Sequence, residues 1–199
     1  MEIKPKLLII AGPNGSGKTS VTDKLLRHEW ITDCVYINPD HIARDRFGDW
    51  NSIESVIKAA QFATKWRETC IEHQKSLIFE TVLSTPEKVS YIERAKKAGY
   101  FIRLFFIGTD HPSINVARIA NRVMEGGHDV PITKTISRYT KSIANCVKSA
   151  TIVDRLYVYD NSIDNEFPKL LFRANNGKLI KKYTEINDWA KDIFQTINH

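Results

Sequence analysis

The sequence predicts a three-layer α/β/α sandwich built on a mainly parallel sheet. Short apolar runs of buried-strand type alternate with segments whose apolar residues recur at helical spacing. The first such strand leads into a glycine-rich segment that opens a helix, and polar residues follow the next two strands. This alternation is typical of a parallel sheet covered by helices on both faces. At 199 residues the chain suits one core of ordinary size, so we predict a single domain over 1–199.

The predicted elements follow one another from the N-terminus. The strands cover 6–11, 34–40, 76–82, 101–107 and 155–160. Asn176-Gly177 between two further short strands, 170–173 and 178–181, indicates a C-terminal hairpin. The helices cover 20–30, 41–47, a long segment capped by Ser52, segments that start at Pro86, Pro112 and Thr133, and 189–197.

Apolar stripes predict the buried faces of two of these helices. In the helix after Ser52 the stripe comprises Ile53, Val56, Ile57, Ala60, Ala63, Cys70 and Ile71. In the helix from Thr133 it comprises Ile136, Tyr139, Ile143 and Val147, and the other side carries Arg138, Lys141 and Asn145.

Composition and charge limit the classes of partner. A net charge of +6 and a pI near 9.2 suit ATP, a phosphorylated substrate, a nucleic acid or an acidic protein. The basic residues are spread along the predicted helices, so a nucleic acid is not favoured. With no secretory leader and no apolar run of about 18 residues, we expect a cytoplasmic protein without a membrane span. Cys34, Cys70 and Cys146 lack the spacing of a zinc site and are interpreted as reduced core cysteines.

A segment after the first predicted strand fits the phosphate-binding pattern G-x-x-x-x-G-K-[ST]. It comprises Gly12, Pro13, Asn14, Gly15, Ser16, Gly17, Lys18 and Thr19. The strand before it and the helix after it provide the context in which such a loop binds a nucleotide. Its backbone N–H groups would hold the β- and γ-phosphates, Lys18 would add positive charge, and the Thr19 hydroxyl would ligate Mg²⁺. The segment therefore predicts ATP and Mg²⁺ as ligands.

Carboxylates lie at the carboxyl ends of the second and third predicted strands. Asp40 comes directly after Asn38-Pro39, and Glu80 ends an apolar strand. Because ligands bind beyond the carboxyl ends of parallel strands, both are expected beside the phosphate loop. There Asp40 could accept the proton of a hydroxyl that attacks the γ-phosphate, or it could cap the following helix. Glu80 could bind the acceptor substrate, hold a metal-bound water or be a satisfied polar residue in the floor of the crevice. Thr81 and Arg44 are further candidate contacts of the acceptor.

Three arginines after the fourth strand are candidates for stabilising the transferred phosphoryl group. Arg118 and Arg122 are four residues apart and share a helix face, and Arg138 lies on the polar side of the next helix. Gly126-Gly127 between the helices indicates either a mobile connection or an ordinary loop. We predict that 112–150 forms a lid on the triphosphate, and we prefer Arg122 and Arg138 over Arg118 as its catalytic arginines.

The residues alone leave several functions open. They fit a kinase of a hydroxyl acceptor such as a nucleoside, an antibiotic or a polynucleotide end, or an ATP-dependent binding module or ATPase. The Leu-Ser-Gly-Gly-Gln signature of ABC-type ATPases and the Asn-Lys-x-Asp segment of GTPases do not occur in the sequence. A phosphotransferase with an alcohol group as acceptor is therefore the leading expectation.

Five segments taken together carry a resemblance to a known family. They are Gly12–Thr19, Ile37–Asp40, Phe79–Thr81, Asn121–Pro131 and Arg138-Tyr139. In this combination the chain resembles the zeta toxin family, in particular its short zeta-like branch, roughly from the first strand through the hairpin. The phosphate loop is generic, whereas its combination with the Gly-Gly-His-x-Val-Pro segment is much more specific.

The resemblance implies a function and assigns residues. It implies a kinase that uses ATP and Mg²⁺ to phosphorylate the 3′-hydroxyl of UDP-N-acetylglucosamine, and a separate antitoxin protein that holds it inactive. The positions it assigns are Lys18 for the phosphates, Asp40 as the base, Glu80 and Thr81 for the acceptor, and Arg122 and Arg138 for ATP. The better-known members have Glu-Gly-Thr where this chain has Glu80-Thr81-Val82, so the acceptor stays open.

Overall fold

The fold is a seven-stranded sheet with helices on both faces. The computed structural model describes residues 4–48, 52–127 and 129–198. The strands are β1 (Lys6–Ala11), β2 (Val35–Ile37), β3 (Leu77–Thr81), β4 (Phe101–Gly108), β5 (Arg155–Asp160), β6 (Lys169–Asn175) and β7 (Lys178–Lys182). The helices in these ranges are α1 (Lys18–Leu25), α2 (Pro39–Phe47), α3 (Ile53–Glu72), α4 (Pro86–Lys97), α5 (Pro112–Met124), α6 (Ile132–Ala150) and α7 (Lys191–Ile197), with 3₁₀ turns at Glu29–Ile31 and Asp188–Ala190.

The strand order is β2-β3-β1-β4-β5-β6-β7. The first five strands in this order run parallel, and β6 and β7 complete the sheet as an antiparallel hairpin. This topology confirms the predicted α/β class, the mainly parallel sheet and the C-terminal hairpin. Strand β1 lies between β3 and β4, so the loop that follows it lies where ligands bind in doubly wound sheets.

The two faces of the sheet are covered unequally. Residues 7–11 of β1 are fully buried, as expected for a strand packed on both sides. One face packs against buried residues of α3, α4, α6 and α7. The other packs against Val21 and Leu25 of α1, which contact a smaller cluster that includes Leu8 and Phe105. Because α1 has only eight residues, it covers this second face only in part.

Several boundaries differ from the sequence prediction for local reasons. Helix α1 ends at Leu25, and the chain turns through Glu29–Ile31, where the side chain of His28 accepts a hydrogen bond from Trp30 N. Strand β2 ends at Ile37 because the next residue caps a helix that already begins at Pro39. Ser52 caps α3 as predicted, its side chain accepting from Ser55 N.

The buried face of α3 matches the predicted one only in part, at Ala63, Cys70 and Ile71. Ile53 and Ile57 are 80% and 52% exposed, and Ala60 is exposed as well. The buried residues are Ser55, Ala59, Ala63, Arg67 and Cys70, of which Ala63 and Cys70 were predicted. Small side chains on this face let the helix lie close to its neighbours, whereas the apolar stripe predicted contacts for the larger side chains.

Helix α6 also differs from its prediction. Ile136 is 46% exposed, whereas Asn145 is only 5% exposed. The Asn145 amide donates to Leu83 O at 2.9 Å, and Ser142 Oγ donates to Val82 O at 2.6 Å. A polar side chain can be buried when it satisfies a backbone carbonyl, and hydrophobic periodicity does not detect this.

The cysteines and the helices bear on two further expectations, reduced thiols and the lack of a membrane span. Cys70 and Cys146 are buried and Cys34 is half-buried, and all three are free thiols. No helix among the described residues combines the length and the apolar character needed to cross a membrane.

Candidate functional site

A cleft of about 420 Å³ lies at the carboxyl edge of the parallel strands. Its lining comes from the phosphate loop, the ends of β2 and β3, and α5. The lining residues are Asn14, Gly15, Gly17, Lys18, Thr19, Asn38, Pro39, Asp40, Glu80, Thr81, Val82, Arg118, Ile119 and Arg122. The structure therefore brings together most of the side chains that the sequence suggested as functional.

The phosphate loop has the backbone of an anion cradle. Gly15 and Gly17 have φ values of 75° and 82°, which glycine adopts without strain. A Cβ at Gly15 would lie 2.6 Å from Asn115 O, so no larger residue fits there. Gly17 is the N-cap of α1 and provides no side-chain acceptor, which leaves the first N–H groups of the helix available to an anion. These features fit nucleotide phosphates.

Lys18 is half-buried at the start of α1. Its Nζ donates to Gly12 O and Pro13 O, both at 2.9 Å. Burial lowers the pKa of Lys18 to about 8, the charge of Glu80 opposes this shift, and the charge of Arg122 adds to it. Lys18 is thus close enough to both Glu80 and Arg122 for their charges to change its proton affinity.

Asparagines outside the motif hold the phosphate loop in place. The fully buried Asn115 donates from Nδ2 to Asn14 O at 2.7 Å, and its Oδ1 accepts a hydrogen bond from the Thr109 hydroxyl. On the other side of the loop, Asn161 Nδ2 donates to Ser16 O at 2.9 Å. Sequence reasoning missed Asn115 and Asn161, because neither belongs to a motif and both act through contacts that only the fold creates.

A chain of hydrogen bonds connects the Glu80 carboxylate to the backbone of Asp40. Tyr36 Oη donates to Glu80 Oε1 at 2.9 Å and accepts from Asn38 Nδ2 at 2.8 Å. Asn38 Oδ1 in turn accepts from Asp40 N at 2.9 Å and so caps α2. Burial and the charge of Glu80 raise the pKa of Tyr36 well above its usual value, so Tyr36 remains a donor. Tyr36 was not among the predicted residues.

Asp40 lies in the first turn of α2 with an exposed side chain that lines the cleft. The alternative role as the cap of this helix is not observed, because Asn38 is the cap. Thr81 also lines the cleft, and its Oγ1 accepts from Leu83 N at 3.1 Å. Arg44 does not line it: its guanidinium extends to Asp45 on the exposed side of α2. A contact between Arg44 and the acceptor therefore remains a prediction without support from this arrangement.

The three candidate arginines occupy different positions. Arg122 lines the cleft. Arg118 also lines it, but its Nε donates to Asp164 Oδ1 at 2.7 Å and its Nη1 to Asn161 O at 2.8 Å. The guanidinium of Arg118 is thus already held by the segment after β5. Arg122 lies close enough to Lys18 for its charge to lower the pKa of that lysine, which is consistent with a position beside the phosphate loop.

Arg138 reaches the phosphate loop from α6 without lining the cleft. Its Nη1 donates to Asn14 Oδ1 at 3.2 Å, which joins α6 to the loop. His128, part of the segment that carries the family resemblance, lies outside the described residues.

The donor set suits Mg²⁺ held mainly by phosphate oxygens. Thr19 lines the cleft beside Lys18. Among the described residues, no group of three or more His, Cys, Asp or Glu side chains could hold a metal by itself. Mg²⁺ in kinases keeps several waters and is bound by few protein groups together with substrate phosphates. A Thr19 hydroxyl next to a phosphate cradle fits this mode.

The sheet order, the phosphate loop after β1 and the helices after β4 define a P-loop protein with a kinase-like fold. A family model described as Zeta toxin matches residues 1–168. The chain therefore belongs to the zeta toxin family, as the resemblance in the sequence indicated.

The chain is also similar to an individual relative in sequence and to solved structures in fold. An uncharacterized protein of Haemophilus influenzae is 29% identical over 123 residues, which are 62% of this chain and 84% of that protein. A structure from the PezAT chromosomal toxin–antitoxin system of Streptococcus pneumoniae has a TM-score of 0.64 at 16% identity and covers 98% of this chain and 79% of that chain. AvrRxo1-ORF1:-ORF2 with ATP has a TM-score of 0.67 at 16% identity, covering 97% of this chain and 63% of that chain.

Proposed function

We propose that this protein is an ATP- and Mg²⁺-dependent kinase that transfers the γ-phosphate to a hydroxyl of a sugar nucleotide of the UDP-N-acetylglucosamine type. The observation that carries the proposal is the shared cleft, in which Asp40 and Glu80 lie opposite a phosphate cradle and Arg122. A pure nucleotide-binding module has no need of a carboxylate base beside the terminal phosphate.

The geometry suggests a role for each group. ATP phosphates would lie on the N–H groups of the loop and the start of α1, with Lys18 and Arg122 supplying positive charge as the phosphoryl group moves. When bound, Mg²⁺ would neutralise charge on the phosphate oxygens, and Thr19 would hold it. Asp40 would accept the proton of the attacking hydroxyl. Glu80, oriented by Tyr36, would accept a hydrogen bond from the acceptor.

We further propose a separate antitoxin protein and a cytoplasmic site of action. A structural neighbour comes from a toxin–antitoxin system, and family membership supports the same arrangement here. The second candidate function is a kinase of another small hydroxyl acceptor or a polynucleotide end. Glu80-Thr81-Val82 favours keeping it, because the acceptor side of the cleft departs here from the better-known members.

A product assay tests the proposal. The protein is incubated with ATP, Mg²⁺ and UDP-N-acetylglucosamine, and the mixture is analysed by mass spectrometry. We expect a product heavier by one phosphoryl group, absent when Lys18→Ala is used. If ATP binds but this product does not form, the sugar-nucleotide acceptor is wrong, and the same assay on a metabolite extract identifies the alternative.

Removal of the Tyr36 hydroxyl is expected to affect the acceptor and not ATP. Tyr36→Phe keeps the ring and its edge contact with His41 but leaves Glu80 Oε1 without its donor. We expect KM for the acceptor to rise roughly tenfold, as for one lost hydrogen bond to a charged group. KM for ATP should change less than about twofold. Steady-state kinetics with each substrate varied in turn measures both constants.

A remote hydroxyl provides the control for this experiment. Tyr91→Phe also removes one hydrogen bond, from Tyr91 Oη to Arg67 O at 3.1 Å, but Tyr91 does not line the cleft. Its two KM values should stay close to those of the unaltered protein. Equal rises in both KM values of Tyr36→Phe would contradict a role specific to the acceptor.

The pKa of Lys18 predicts that ATP binding takes up a proton at high pH. In the free protein the Lys18 side chain is charged below pH 8. It is mainly neutral between about pH 8 and pH 10.5, the ordinary pKa of a lysine. Phosphate anions favour the charged form and raise the pKa again. Calorimetric titration at pH 9 in two buffers of different ionisation enthalpy should show uptake approaching one proton, and at pH 7 almost none. Lys18→Arg, which cannot titrate, should show none; equal uptake by this variant would refute the assignment.

A further inference from the structure

Strands β4 to β7 display basic and aromatic side chains on the sheet face that α1 covers only in part. We define this basic–aromatic face by Arg103, Arg155, Tyr157, Arg173, Lys181 and Tyr183. The last three are exposed and the others are half-buried. In the sequence these residues lie up to eighty positions apart, so only the sheet reveals them as one group.

The strand register makes the face continuous. Arg103 of β4 is directly opposite Arg155 of β5. Tyr157 of β5 is opposite Arg173 of β6, which is opposite Lys181 of β7. Residues opposite one another in adjacent strands point to the same face, and adjacent strands are about 4.8 Å apart. Four positive charges therefore lie close together on one surface.

This arrangement is unfavourable for the isolated protein. Like charges directly opposite in a sheet destabilise it, and the face contains two such pairs, Arg103 with Arg155 and Arg173 with Lys181. None of the ion pairs between described residues involves any of these four side chains. Of these four side chains, only Arg155 makes a hydrogen bond to another described residue, from Nη1 to the carbonyl Asp154 O at 3.3 Å. An external polyanion would supply the missing negative charge.

Flat rings lie among these charges. The Tyr157 ring stacks on Phe105 at 4.7 Å with an interplanar angle of 6°. The Arg103 guanidinium lies 4.5 Å from the Trp30 ring and 4.8 Å from the Phe101 ring. At the sheet edge Lys181 Nζ lies 4.8 Å from the ring of Tyr183, whose residue is 43% exposed.

We propose that the basic–aromatic face binds single-stranded nucleic acid, with phosphates on the basic side chains and bases against the tyrosines. Open sheet faces that combine aromatic and basic residues are a common platform for single strands, because every base can stack and the backbone follows the charges. An anionic lipid or an acidic peptide would match the charges but would make no use of the rings.

The face is separate from the cleft. Arg155 is the first residue of β5, and Arg103 is near the start of β4, whereas the cleft lies at the carboxyl ends of the strands. The proposal therefore does not depend on the kinase function. It also differs from the sequence-based expectation, which disfavoured nucleic acid because the basic residues were assigned mainly to helices.

Fluorescence anisotropy with a labelled single-stranded oligonucleotide about 12 nucleotides long tests the proposal. The full chain is compared with Arg173→Gln/Lys181→Gln and with a control, Lys65→Gln/Lys141→Gln, which removes two exposed charges from α3 and α6. We expect the first double variant to bind at least tenfold more weakly and the control to stay within about twofold. The slope of log K against log salt should fall by about 1.4 in the first, as for two lost phosphate contacts on a single strand.

Two further measurements separate the proposal from its alternatives. The Arg173→Gln/Lys181→Gln variant should unfold at an equal or higher temperature than the unaltered protein because it loses a like-charge pair, so weaker binding cannot be attributed to unfolding. Tyr183→Leu and Tyr157→Leu should weaken binding of the oligonucleotide but leave binding of inorganic polyphosphate unchanged. Equal losses in both double variants would show a non-specific charge effect and overturn the proposal. Tyrosine variants that bind the oligonucleotide as tightly as the unaltered protein would also overturn it, in favour of a simple polyanion.

Discussion

Replacement of Arg122 by alanine is expected to lower kcat by roughly 10³-fold, the low end of the effect of an arginine on phosphoryl transfer. Arg122 lines the cleft, and its charge contributes to the lowered pKa of Lys18, so both groups act on the same small volume. Charge on the equatorial oxygens is greatest in the transition state, and a guanidinium placed there acts mainly on kcat. The product assay at saturating ATP and acceptor measures the loss.

Arg118 is the matched comparison on the same helix. Because Asp164 and Asn161 O already bind its guanidinium, Arg118→Ala is expected to cost less than about tenfold in kcat. Arg122→Lys keeps the charge without the two-pronged geometry and should fall between the unaltered protein and Arg122→Ala. Similar losses for Arg118→Ala and Arg122→Ala would show that the helix as a whole, rather than Arg122, is needed.

Replacement of Asp40 by asparagine is expected to lower kcat by about 10²–10⁴-fold while ATP affinity stays within about threefold. The substitution removes the proton acceptor and preserves the size of the side chain. The helix should remain intact because its cap is Asn38, which bonds the backbone N of residue 40 and not its side chain. ATP affinity by calorimetry and turnover by product assay provide the two readouts.

Asp45→Asn provides the control for this variant. Asp45 lies on the same helix and is paired with Arg44 away from the cleft, so its substitution should leave turnover nearly unchanged. The comparison also decides between classes of function. If Asp40→Asn retained full turnover, another group would have to be the base. If neither Asp40→Asn nor Asp45→Asn transferred phosphate to any acceptor while both bound ATP, a binding module would be the better description.

The sheet and the approximate location of the site were predictable because each depends on local pattern. Buried parallel strands such as β1 are continuously apolar, and the carboxyl ends of such strands meet at one edge. That rule is sufficient to place Asp40 and Glu80 beside the phosphate loop. The faces of α3 and α6 were not predictable in this way: Ile53 is exposed, and Asn145 is buried because it bonds a backbone carbonyl that is far away in the sequence.

The side chains that support the site were harder to predict than those that line it. Asn115 and Asn161 hold the phosphate loop, and Tyr36 orients Glu80, through bonds between residues 44 to 145 positions apart. Such contacts exist only once the strands and helices are in place. An isolated asparagine or tyrosine has no spacing or neighbour that marks it for this role.

Hydrogen bonds from the first halves of α5 and α6 limit how the cleft can open. Asn115 and Arg118 anchor the first half of α5, and Arg138 and Tyr139 anchor α6 to Asn14 and Thr109. A swing of both helices as one body would break all of these bonds together. Entry of a nucleotide is therefore expected to leave the first halves of both helices in place, and the ordering entropy lost on binding is that of a few residues rather than of the whole segment from 112 to 150.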